Sequence, residues 1–238
     1  MYGGHRSGPN KKTTKVDPNE DKAYSLEKEW TVMTDLKEIF EARRSVNFFQ
    51  ARKELAPGVL EQIIDLASLA PSAFNLQPWE LIAVKSEEAK KRLYPLAFNQ
   101  PKILEAPVIL IVIGDRKGYE PGNPEWNELE TMLGGDKEAL AGTQQFARAL
   151  YGATPEREIK FAESNAALLA ASILYAAQYY GVDSHAMSGM DFEGVKKEFA
   201  IDGGKEVVML IALGYFDDAK TLYPRRHRKG YREMVREV

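Results

Sequence analysis

The first thirty residues carry no apolar period. From Met1 to about Glu29, Gly, Pro, Asn, Lys and Asp dominate, a mixture that cannot offset the entropy of ordering itself. Residues 1–33 therefore read as a flexible tail, or an arm that orders on a partner subunit, ahead of a domain spanning 34–238. Helical spacing begins at Thr34, a plausible N-cap, with Leu36, Ile39 and Phe40 on one face and an end near Arg43-Arg44-Ser45. Pro57 suits the first turn of a second helix, whose Leu60, Ile63, Ile64 and Ala67 form a stripe that Pro71 stops. Trp79 to Lys85 and Pro107 to Ile113 are short runs rich in β-branched residues, each bounded by turn formers, and predict buried strands with a Ser86-capped helix between them.

Beyond Gly114 to Pro124, punctuated by Gly and Pro, comes a variable helical region. Thr154-Pro155-Glu156 then opens a long helix that ends at Gly181. From Ala166 to Tyr180 that helix is apolar on nearly every side, which predicts burial all round and hence a dimer core. A third strand, Val207 to Leu213, follows the Asp202-Gly203-Gly204 turn, a short helix opens at Asp191, and a basic tail with Arg225, Arg226, Arg228 and Lys229 closes the chain. Helices alternating with strands give an α/β or α+β class.

Composition narrows the chemistry. The chain has no cysteine, which excludes disulfides, a thiolate nucleophile and Cys-ligated metal. Its three histidines, His5, His185 and His227, are too scattered to make a His-rich metal site or a Ser-His-Asp triad. A net charge of -3 gives no sign of a nucleic-acid or anionic-membrane partner. No N-terminal stretch has the apolar core of a signal peptide, and Ala166 to Ala177 falls short of the roughly 20 residues that span a bilayer, so the expected compartment is the cytoplasm.

Four constellations could carry chemistry. Arg43-Arg44-Ser45 sets two guanidinium forks and a hydroxyl within one turn, as a phosphate monoester requires; cations at a helix C-terminus also simply complement the macrodipole. Pro71-Ser72-Ala73-Phe74-Asn75-Leu76-Gln77-Pro78 joins a helix to a strand, where Asn75 and Gln77 could meet the mixed polar edge of a flavin pyrimidine or serve as structural caps. His185 to Asp191 reads as a loop in which Gly189 could let the backbone approach a flat ring or could be a turn glycine before an N-cap. Arg226-His227-Arg228 could complete a phosphate clamp with Arg43 or lie solvated.

Together and in this order, Arg43-Arg44-Ser45-Val46, Ala70-Pro71-Ser72 through Asn75 to Gln77-Pro78-Trp79, the helix at Leu168 to Ala171, Met187-Ser188-Gly189-Met190-Asp191 and Ala212-Leu213-Gly214-Tyr215 resemble the nitroreductase family from about Leu36 to Val238. The resemblance implies an α+β sandwich, with a central, mainly antiparallel sheet flanked by helices, assembled as an intertwined homodimer that binds one FMN at each end of its interface with contacts from both subunits. It implies that Arg43 and Arg226 or Arg228 meet the phosphate. Arg44 and Ser45 would lie along the ribityl chain and pyrimidine edge, with Asn47 two residues on, and Pro71, Ser72, Asn75 and Gln77 would border the ring. Met187, Ser188 and Gly189 would present backbone to flavin N5. The implied activity is ping-pong transfer of two electrons from NAD(P)H to a small acceptor such as a nitroaromatic or a quinone.

Two positions depart from the family pattern: Asn47 stands where Arg or Lys is common, and Asn165 where Gln is frequent. Gly118 to Tyr151 is expected to form a lid, with Trp126, Met132, Phe146 and Tyr151 as candidates for its pocket. The rival readings are a flavin-binding sensor or store, reductive dehalogenation or flavin destruction on the same fold, and a colourless structural module.

Overall fold

In the computed structural model the described residues are 35–238. The expectations for the tail at 1–33, for His5 and for Thr34 as a cap lie outside them. Helix α1 (Leu36–Ala42) is capped by Asp35, whose Oδ1 accepts the Lys37 N–H at 2.8 Å. Helix α2 (Val59–Ala67) starts two residues beyond Pro57, because Gly58 takes the left-handed N-cap position (φ 79°). Strand β1 (Trp79–Val84) is followed by α3 (Glu87–Leu96), where Ser86 Oγ accepts from the Ala89 N–H as its sequence position predicts. A single turn, α4 (Lys102–Glu105), leads into β2 (Val108–Asp115).

The sheet holds β1, β2, β3 (Asp183–Met187) and β4 (Lys205–Gly214) in the order β1-β2-β4-β3, with every pairing antiparallel. Strand β2 is central and its two-residue period divides the core. Ile109, Ile111 and Ile113 pack on one face with Leu93, Ala97, Ile103 and Val195. Val108, Leu110 and Val112 pack on the other with Ile63, Ala67, Ala166, Leu169 and Ile173. Helices therefore cover both faces, α3, α4 and α8 (Phe192–Glu198) on one and α2 and α7 (Pro155–Tyr179) on the other, in an α+β sandwich. The register slips by one residue between Val112 and Ile113, a bulge that accommodates Val208.

Two expectations change. Strand β1 is an edge strand with one face partly open, not a buried one. His185, Ala186 and Met187 lie in β3 rather than in a loop, since the Asp183–Met187 segment pairs with β4 on one side and accepts the Val46 N–H at Ser184 O on the other. Within this chain helix α7 is buried on one face, Leu168 on the opposite face is 45% exposed, and Phe40 of α1 stacks on Tyr175 with ring centroids 4.1 Å apart. The ends of α7 follow the sequence. Thr154 Oγ1 accepts the Arg157 N–H, and beyond Tyr179 Gly181 is left-handed (φ 67°) with its N–H on Gln178 O and the Val182 N–H on Ala177 O, the paired bonds of a Schellman cap.

The excursion between β2 and α7 carries α5 (Trp126–Met132) and α6 (Lys137–Tyr151). After β4 the chain turns back along the segment that follows α1. Gln50 N–H donates to Tyr215 O, Gln50 Nε2 to Phe216 O and Asp217 N–H to Phe48 O, so the basic C-terminal segment is brought to the end of α1 before a last turn, α9 (Tyr231–Met234).

Candidate active site

That return places Arg43, Arg44, Ser45 and Asn47 opposite Tyr223, Pro224, Arg225, Arg226 and Arg228 around a cleft of about 320 Å³. Several of its cations build the cleft. Arg225 Nη2 donates to Glu41 O and Arg43 O, satisfying carbonyls at the C-terminal end of α1, while Arg44 donates to Tyr223 O and Arg228 to the carbonyls of Arg226 and His227. Arg43 and Arg226 make no side-chain hydrogen bond or ion pair among the described residues. No carboxylate lines the cleft. Five guanidinium groups with no counter-charge, two of them uncommitted, form a donor set suited to a phosphate dianion, which accepts bidentate N–H pairs.

The segment that lines one side of this cleft is tied to β3 through Val46, between Ser45 and Asn47. Val46 is buried; its N–H meets Ser184 O at 3.0 Å and its carbonyl lies 2.8 Å from His185 Nδ1, which must carry the proton because a carbonyl only accepts. Burial lowers the His185 pKa to about 4, and the nearby Lys102 ammonium adds to the effect against the Val46 bond. His185 is thus a neutral structural donor at ordinary pH.

The loop from Pro71 to Gln77 has other partners. Its backbone is wound through left-handed residues at Phe74, Asn75 and Gln77 (φ 53°, 55° and 45°). It is closed by Ser72 Oγ, which accepts the Gln77 N–H at 3.0 Å, and by buried Asn165, whose Oδ1 accepts the Ala73 N–H at 2.9 Å. Asn75 Nδ2 donates to Glu128 Oε2 at 2.6 Å and Gln77 Nε2 to Glu125 Oε2 at 3.2 Å, so both side chains engage α5 and the residue before it. Trp126 is 2% exposed and packs near Phe74, with Nε1 on Glu120 O; it is core, whereas Met132 and Phe146 are open to solvent and Tyr151 is half-buried.

At the end of β3, Met187 is buried and Ser188 and Gly189 are exposed. Gly189 has no left-handed φ, and a Cβ there would meet only Gln100 Nε2, at an ordinary 3.5 Å. Neither backbone conformation nor packing within the chain requires glycine at 189, and open space lies in front of that backbone.

Residues 40–215 match the Nitroreductase family. The chain belongs to the nitroreductase family. Among its relatives is YodC of Bacillus subtilis (strain 168), which bears a provisional NAD(P)H nitroreductase name and is 33% identical over 76% of this chain and 90% of its own. A CLA biosynthesis enone reductase of Lactiplantibacillus plantarum is 31% identical over 77% of this chain and 86% of its own. A crystal structure from Exiguobacterium sibiricum in complex with FMN superposes with a TM-score of 0.73 at 25% identity, covering 87% of this chain and 99% of that one.

Within this chain of the nitroreductase family, the candidate residues fall into three groups. Arg43, Arg44, Ser45, Asn47, Arg226 and Arg228 share one cleft, whereas Pro71, Ser72, Asn75 and Gln77 do not line it, and neither do Met187, Ser188 and Gly189. Sequence reasoning missed Tyr223 and the bracing role of Arg225; the Tyr-Pro step ahead of the basic run was the only signal. Among the described residues no group of His, Cys, Asp or Glu could hold a metal ion, and no helix is long and apolar enough to cross a membrane.

Proposed function

We propose that this nitroreductase-family chain is an FMN-dependent oxidoreductase that passes two electrons from NAD(P)H to a small acceptor, such as a nitroaromatic or a quinone, by a ping-pong route. The observation that carries this reading is the carboxylate-free arginine cleft, with Arg43 and Arg226 uncommitted. These two arginines would hold the FMN phosphate, with Ser45 and Asn47 beside them for the polar chain that follows. Bound FMN would supply a reversible carrier of two electrons that accepts hydride at N5. The chain's own contribution is to bind, orient and cover: Gly189 leaves room for a flat ring, and the polar loop from Ser72 to Gln77 offers amide groups to a heterocycle edge.

The working form in this proposal is a homodimer. Leu36 is 66% and Phe40 51% exposed on α1, and with Leu168 on α7 they make an apolar surface for a second copy. A protomer whose Pro71–Gln77 loop does not line its own arginine cleft also accords with a composite site to which a second copy contributes that loop.

The near-visible absorption spectrum, taken after adding FMN and removing the excess, tests the proposal. Flavin bands at one per chain, bleached by NADH or NADPH and restored by a quinone, are expected. Retained flavin that neither dinucleotide bleaches would reduce the protein to a flavin-binding sensor or store. A colourless protein would end the flavin reading.

A further inference from the structure

Helix α3 ends at Leu96, and after Ala97 the chain passes through Phe98 and Asn99, two consecutive non-glycine residues in the left-handed region (φ 51° and 56°). Side chains resist that conformation, and strain of this kind persists where surrounding contacts hold it. Here the turn delivers Gln100 to the loop that follows β3. Gln100 Nε2 donates to Gly189 O at 2.9 Å, and Leu96 O accepts the Asp191 N–H at 2.8 Å, so the end of α3 grips the loop at two points. Behind Gln100 lies Lys102, a buried ammonium whose Nζ donates to Gln100 Oε1 at 3.2 Å. An ammonium can only donate and a carbonyl can only accept, so the Gln100 amide has a single orientation between them. Burial holds Lys102 below its usual pKa, with the charge of Glu105 opposing the shift, and His185 on β3 feels the same cation. Within the loop the Met190 N–H is occupied by Ser188 O at 3.0 Å and Gly189 O by Gln100, which leaves the Gly189 N–H with no partner among the described residues.

We propose that Gln100 is a positioning residue for the flavin site: by holding the Gly189 carbonyl, with Lys102 fixing which end of its amide meets the loop, it aims the free Gly189 N–H at flavin N5. This role rests on the FMN reading above and deepens it. An aimed N–H distinguishes the two redox forms, because N5 of oxidised flavin accepts a hydrogen bond while N5 of the two-electron-reduced form carries a hydrogen and donates. Gln100 therefore favours oxidised FMN over reduced FMN, an effect that a purely structural brace would not have.

The test measures the affinity of the full chain for oxidised FMN by fluorescence titration, and the two-electron midpoint potential of the bound flavin, for wild type, Gln100→Glu, Gln100→Leu and Lys102→Met. Gln100→Glu keeps the shape but sets an acceptor against Gly189 O; Gln100→Leu removes both polar ends. Each is expected to weaken oxidised FMN about tenfold with little change for reduced FMN, raising the potential by about 30 mV. Lys102→Met is expected to weaken oxidised FMN by a smaller factor; unchanged affinity there overturns the part assigned to Lys102. Equal weakening of both redox forms, seen as an unshifted potential, or no change in either Gln100 variant, overturns the role of Gln100 while leaving the FMN reading intact. A wild-type chain that retains no FMN overturns that reading, and this role with it.

Discussion

The arginine cleft and the Pro71–Gln77 loop are both polar and both built from irregular segments, yet their hydrogen-bond accounts are opposite. Around the cleft, guanidinium groups outnumber every counter-charge, and Arg43 and Arg226 have nothing to bind within the described chain. In the loop, Asn75 and Gln77 are engaged by the carboxylates of Glu128 and Glu125, and Ser72 and Asn165 close the backbone. Unpaired charge makes the first region a source of ligand affinity, since an anion there gains strong bonds without displacing any. The amide nitrogens of the loop are already engaged, so it contributes shape, closure and its side-chain carbonyl oxygens more than charge-assisted energy.

The largest expected effect comes from breaking the open side of this contrast. Arg43→Ala removes a charge-assisted pair worth about 1.5 to 3 kcal/mol, so FMN affinity should fall by between about ten- and a hundredfold. The fold should survive, because Arg43 contributes no side-chain bond to it. Titration of oxidised FMN against the variant decides the matter: unchanged affinity would remove Arg43 from the phosphate site.

The next effect acts behind the cleft, on the bond between His185 and Val46, and leaves the loop alone. His185 has a folded pKa of about 4 against an ordinary 6.5, so between those values the unfolded chain takes up the proton more readily than the folded one. Stability from this group is complete above pH 6.5 and is lost as pH falls towards 4. Full linkage over that window would be worth about 3.4 kcal/mol, and partial solvent access brings the expectation to about 2 kcal/mol. His185→Gln keeps a donor for Val46 O but cannot titrate. Denaturant unfolding at pH 7 and pH 4.5 should show the wild type losing more stability than this variant; parallel losses would refute the assignment.

Legibility from sequence divides along the same lines. Elements set by local chemistry were readable: Ser86, Asp191 and Thr154 cap the helices expected of them, and Gly181 ends α7. The arginines of the cleft were readable as a set because two clusters of one residue type stand out even when 180 residues apart. Strand β3 was not, because Asp183-Ser184-His185-Ala186-Met187 lacks an apolar alternation; pairing with β4 and contact with Val46 make it a strand, and both are tertiary. The partners of Asn75 and Gln77 were hidden for the same reason, since the glutamates that hold them lie about fifty residues downstream, in the excursion between β2 and α7.

The smallest effect separates the two roles open to Asn75, latch and ligand contact. Its bond to Glu128 is exposed, so breaking it should cost the docking of α5 no more than about 0.5 to 1.5 kcal/mol. Glu128→Gln weakens the acceptor and touches nothing else on the loop, so faster amide exchange across α5 with little change in FMN affinity is expected. Asn75→Ala should speed the same exchange by a similar factor, because it breaks the same bond from the other side. If Asn75 also meets the flavin edge, this second variant alone will bind FMN several-fold more weakly. Equal FMN affinities in the two variants would leave Asn75 as a latch only, and the loop's part in the site would then rest on its shape.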